Sequence, residues 1–123
     1  MKYRVALASY DGQYVDHHFG HAYKYYIYEF DGEKDTYEYI EKRFVDAQCE
    51  CHDQSQDAFA DVFDKLSDTG AIVISRIGPD AIRIVESKGY VIYESDAEIK
   101  NIVESIKENR LFEVDKWREV QKI

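Results

Sequence analysis

The chain has 123 residues, 45% of them apolar, which suits one domain with a packed core and leaves no stretch near the ~20 apolar residues of a membrane span. Its 25 acidic against 16 basic residues give a formal net charge of −9, which repels phosphate backbones and argues against a nucleic-acid partner. Two cysteines are too few for a disulfide framework, and Cys49 and Cys51, one residue apart, would make a strained bridge; free thiols in a reducing, cytoplasmic setting are expected.

Residues 1–9 hold a short apolar run that soon meets Asp11, so residues 3–9 read as a first strand and not as a signal peptide. Residues 23–30 (YKYYIYEF) are dense in aromatics and suit a pleated surface. Asp31-Gly32 then signals a turn, and residues 36–44 (TYEYIEKRF) follow as the hairpin partner, with Lys42-Arg43 read as a solvated strand face. Ala58, Phe59, Val62, Phe63 and Leu66 recur at helical spacing, with Asp53 and Gln56 set for a capping box. Residues 71–74 (AIVI) form a continuous apolar run, as for a strand buried on both faces. Pro79 suits the first turn of a helix carrying Ala81, Ile82 and Val85. Residues 90–93 form a last strand, and Ile99, Ile102, Val103 and Ile106 a third helical stripe, opened by a Ser95/Glu98 capping box.

The six glycines and the single proline all fall at breaks between these segments. The expected fold is therefore α/β, in the order β-β-β-α-β-α-β-α, with antiparallel hairpins first and crossovers then adding parallel strands to a mixed five-stranded sheet. One domain spans residues 1–108. Residues 109–123 form a C-terminal extension with Leu111, Phe112, Val114, Trp117, Val120 and Ile123 at near-helical spacing, which packs on its own domain or meets another subunit. A monomer or weak homo-oligomer is expected.

All four histidines and both cysteines lie in two short windows, Asp16-His17-His18-Phe19-Gly20-His21 and Cys49-Glu50-Cys51-His52-Asp53. The first falls after strand one, the second between strand three and the first helix. Imidazole and thiolate are the ligands of iron, copper, zinc and iron–sulfur clusters, and loops can adjust to a large, irregular cluster. On spacing alone a plainer reading stands beside this one: loop histidines bonded to backbone and incidental thiols. A closed zinc site is disfavoured, because C-x-C-H departs from the usual C-x₂-C arm.

The stretch Asp11-Gly12-Gln13-Tyr14-Val15-Asp16-His17-His18-Phe19-Gly20-His21-Ala22, followed by Tyr26-Ile27-Tyr28-Glu29, resembles the "DG…V…HFG.A..F.IYE" signature of the dinitrogenase iron–molybdenum cofactor biosynthesis family. Ser75-Arg76-Ile77-Gly78-Pro79-Asp80-Ala81-Ile82 is similar to that family's "S.IGPGAI", and Gly89-Tyr90-Val91-Ile92-Tyr93 to its "G..VY". The resemblance implies a ribonuclease H-like fold and a carrier or chaperone of the nitrogenase cofactor or its iron–sulfur precursor, held as transient cargo. It also implies that His18, in the "HFG" position, is a cluster ligand, flanked by His17 and His21. Cys49, Cys51 and His52 carry over as general loop character. One departure is Asp80, where the family has glycine; a carboxylate there would compete with an anion for the helix N–H groups.

The expected function is thus a non-catalytic carrier of an iron–sulfur or iron–molybdenum type cluster, with His18, Cys49 and Cys51 as metal ligands and cluster donor and acceptor proteins as partners. Neither a nucleotide nor a membrane partner is expected. Nuclease chemistry on a ribonuclease H-like sheet needs converging carboxylates around metal ions, and the first strand, Val5-Ala6-Leu7-Ala8-Ser9, has none. The alternative is a metal-independent interaction or regulatory module.

Overall fold

The structure, a computed structural model, describes residues 2–16, 22–45 and 60–109. These form β1 (Lys2–Ala8), β2 (Lys24–Asp31), β3 (Thr36–Phe44), α1 (Ala60–Lys65), β4 (Ala71–Ile74), α2 (Pro79–Ser87), β5 (Val91–Glu94) and α3 (Ile99–Glu108). The five strands make one mixed sheet in the order β3-β2-β1-β4-β5. β2 pairs antiparallel with both β1 and β3, whereas β4 pairs parallel with β1 and β5.

The period-2 alternation of β1 sorts its buried residues onto two faces. Ala6 and Ala8 join Ile27, Ile72 and Ile74 beneath Val62 and Leu66 around α1 and Ala81 and Val85 of α2. Val5 and Leu7 face the other way, with Phe30, Val73 and Tyr93 under Ile99, Ile102, Val103 and Ile106 of α3. β1 and β4 are buried on both faces, which is why residues 71–74 read as an unbroken apolar run.

Two local expectations change, while the hairpin turn falls where Asp31-Gly32 signals it. The β2–β3 hairpin forms as read, and its left-handed residue is Asp35, at φ 56°. The Asp31 carboxylate accepts the Glu33 and Lys34 N–H groups and shapes a longer loop. Ser95 does not cap α3: its hydroxyl accepts the Ala97 N–H, and the helix starts after Glu98, with no side-chain cap. The Ile99 N–H is instead satisfied by the Gln13 carbonyl at 2.7 Å, across the chain. Residues 53, 56, 58 and 59, which would cap and open the first helix, lie outside the described residues.

Arg43, read as part of a solvated strand face, is the second correction. Its side chain is 16% exposed and forks onto both oxygens of Asp68, at 2.5 and 2.9 Å, while also bonding Glu41 and the Lys65 carbonyl. Asp68 takes a further bond from Arg4. The Arg43 guanidinium draws the Asp68 carboxyl down to about 2. Because that folded value lies below the unfolded one, the pair's stabilisation is present above about pH 4 and vanishes as pH falls through about 2. Asp68 is 43% exposed, so solvent screening leaves about 1 kcal/mol. Asp68→Asn is expected to cost that much in urea unfolding at pH 7 and well under half as much at pH 2 and below; an equal loss at both pH values would contradict the ion-pair account.

Candidate metal-cofactor site

The strand directions bring particular loops to one end of the sheet. The carboxyl ends of β1, β3, β4 and β5 and the start of β2 all lie there, together with residues 9–16, 22–23, 45, 75–78 and 95–98. In open α/β sheets this is the end at which ligands bind.

The turn after β1 is built by the Asp-Gly pair of the first motif. Asp11 accepts the backbone N–H groups of Gln13 and Tyr14 and a bond from the Ser9 hydroxyl, which hold its carboxyl below the ordinary range. Gly12 has φ +79° and lies against the Tyr26 ring; a Cβ there would come within 2.8 Å of a ring carbon. Both constraints favour glycine here. Residues 13–15 then clip onto the start of α3, through Val15 N–H to Ala97 and Ile99 N–H to Gln13. Asp16 closes this stem by accepting the Tyr10 N–H at 3.0 Å.

His17, His18 and His21 lie between this stem and Ala22, and Cys49, Cys51 and His52 lie between Val45 and α1. All six are outside the described residues, so their own positions are not part of the geometry. Their anchors are. Ala22 and Val45 are both buried, and the Val45 N–H bonds the Tyr23 carbonyl at 2.9 Å. The two Cys/His segments therefore adjoin hydrogen-bonded neighbours, on strands about 4.8 Å apart. His18 is four residues before Ala22 and Cys49 four after Val45, and four extended residues reach ~14 Å. The stems thus permit the two ligand sets to meet. Among the described residues, no group of three or more His, Cys, Asp or Glu side chains is placed to hold a metal ion.

The second motif reaches the same end. Ile77 is buried in one cluster with Ala8, Ala22, Tyr25 and Val45, and its N–H bonds Glu94. Gly78 is the N-cap of α2 and Pro79 occupies the first turn. Asp80 pairs with Arg83, one turn on, and so has a partner other than the helix N–H groups it was expected to engage.

Motif reading missed the stem bonds of Ser9 and Asp16, and it missed Tyr25. Tyr25 is fully buried on the α1/α2 side, and its hydroxyl has no hydrogen-bond partner among the described residues. Burial alone pushes its phenol pKa up. A buried hydroxyl without a partner costs stability. Tyr25→Phe is therefore expected to be neutral or to stabilise by up to about 1 kcal/mol in chemical denaturation. A clear loss would reveal a partner for the hydroxyl.

The two motifs meeting at one end of the sheet agree with a family model, described as dinitrogenase iron-molybdenum cofactor, that matches residues 1–109. The chain belongs to the dinitrogenase iron-molybdenum cofactor family. That membership ties it to iron–molybdenum cofactor biosynthesis or handling. A crystal structure of a Methanocaldococcus jannaschii protein, provisionally described as a dinitrogenase, is similar in fold to this family member. Its TM-score is 0.52 at 14% identity, over 94% of this chain and 92% of that one. A search of curated protein sequences gives no match. No helix among the described residues is long and apolar enough to cross a membrane.

Proposed function

We propose that this family member is a non-catalytic carrier or chaperone that holds an iron–sulfur or iron–molybdenum type cluster as cargo between its two Cys/His loops. The observation that carries the reading is the 2.9 Å bond from Val45 to Tyr23, which seats both loop stems side by side. His18, Cys49 and Cys51 are the metal ligands in this reading, with His17, His21 and His52 beside them. The donor set fits the cargo, since thiolate and imidazole are the ligand types that iron–sulfur centres take. Loop ligands also suit cargo that must leave again for an acceptor protein. The sheet is of ribonuclease H-like type, residues 1–108 are the cofactor-handling domain, and the compartment is the cytoplasm.

The test is anaerobic cluster binding by wild type, His18→Ala and the Cys49→Ala/Cys51→Ala pair, followed by absorbance and metal analysis. Weakened binding in both variants supports a shared site. Full binding in both would remove these residues as ligands and leave the metal-independent interaction module as the better description.

A further inference from the structure

Among the described residues, only part of the α3 side of the sheet is covered by a helix. α3 begins at the loop end, where Ile99 bonds Gln13, and by Glu104 it has reached the hairpin end, where the Tyr37 hydroxyl donates to Glu104 at 2.5 Å. Farther along β2 and β3 the same face continues as a strip of aromatic rings. The cross-strand pairs Tyr28↔Tyr39 and Lys24↔Phe44 place these side chains on the face of Phe30 and Tyr37. Tyr39 lies 5.6 Å from the Tyr28 ring and 6.1 Å from Tyr26, and the Lys24 ammonium sits over Phe44. Yet Tyr39 is 47% exposed and Phe44 56%. Lys42, paired with Tyr26, stands on this face between the two exposed rings, so the strip is aromatic with a basic residue within it, a surface open to a contact.

We propose that residues 110–123 of the same chain dock on this tyrosine-rich strip. The segment lies outside the described residues, but its starting point is fixed: it follows α3, whose last turn lies just beyond the Glu104 contact with Tyr37. Its length also fits. Fourteen residues wound as a helix span ~21 Å, while β3 from Tyr37 to Phe44 spans ~24 Å. Its composition supplies apolar side chains to cover the exposed rings, with Leu111, Val114, Trp117, Val120 and Ile123 at every third position and Phe112 beside them. Docking in cis buries both sets at little cost in chain closure, because the tether to α3 is short. The inference does not depend on cluster binding.

Trp117 is the chain's one tryptophan and reports on the docking directly. Its emission and acrylamide quenching are to be compared in the full chain, in a Tyr39→Glu/Phe44→Glu variant, and in a free peptide of residues 110–123. The expected result is blue-shifted emission and several-fold protection from quencher in the full chain, both lost in the variant while its far-UV circular dichroism stays unchanged. Trp117 as accessible in the full chain as in the peptide would overturn the proposal, as would protection that survives in the variant. Protection that disappears on dilution, with a dimer in sedimentation, would overturn docking in cis in favour of a second copy.

Discussion

Removing the ligands of both loops at once is expected to cost barely more cluster affinity than removing those of either loop alone. Loss of a supporting residue outside the ligand set already weakens metal sites by about 10–100-fold, so loss of a ligand should do at least that. If His18 and the cysteines hold the same cluster, the first removal collapses the site and the second has little left to remove. The two changes are then strongly coupled, as changes at neighbouring positions are. If the loops act separately, the two losses multiply. The basis for expecting coupling is the packing at the loop stems, with Ala22 and Val45 buried in one cluster and the Val45 N–H on the Tyr23 carbonyl. Anaerobic titration of wild type, His18→Ala, Cys49→Ala/Cys51→Ala and the combined triple variant decides it, and multiplied losses would contradict a shared site.

The second large effect is on stability. Gly70 sits just before β4 with its backbone held on both sides, its N–H on the Arg4 carbonyl at 2.9 Å and its carbonyl on the Val91 N–H at 3.0 Å. A Cβ at this position would fall 2.1 Å from the Tyr3 hydroxyl oxygen and 2.3 Å from two ring carbons. The backbone cannot retreat without breaking sheet bonds to β1 and β5, so the Tyr3 ring must move. That ring is half-buried against the α3 core, and its burial raises the phenol to about 12. Gly70→Ala is expected to destabilise by about 2 kcal/mol, the usual scale for overpacking. In a Tyr3→Ala background the same change should cost about 1 kcal/mol less, since the clash is gone. Equal costs in both backgrounds, measured by urea unfolding, would show that Tyr3 is not the obstacle.

Periodicity made the repeating parts of this fold legible. The hairpin partner read at residues 36–44 and the apolar run of residues 71–74 coincide with β3 and β4 residue for residue, and the stripe at Ile99, Ile102, Val103 and Ile106 is the buried face of α3. The misses all depend on partners far away in the chain. Ser95 was read as a cap because its local spacing to Glu98 fits one, but the first α3 N–H takes the Gln13 carbonyl instead. Arg43 looked solvated because nothing in its strand reveals Asp68, 25 residues on.

The candidate site divides along the same line. The ligand types and their two windows are plain in the sequence, because all the chain's histidines and cysteines fall in them. That the windows leave from adjacent strand ends is a matter of sheet order, which no spacing encodes. Tyr25 was invisible for a different reason: a tyrosine in an aromatic strand gives no sign that its hydroxyl will be buried without a partner.

The most direct test of the central claim is the stoichiometry of anaerobic cluster binding by the wild-type chain, beside an equally acidic control protein without cysteine or histidine. One iron–sulfur or iron–molybdenum type cluster per chain, bound well above the control, is the expected result. Binding no greater than the control would contradict the carrier reading.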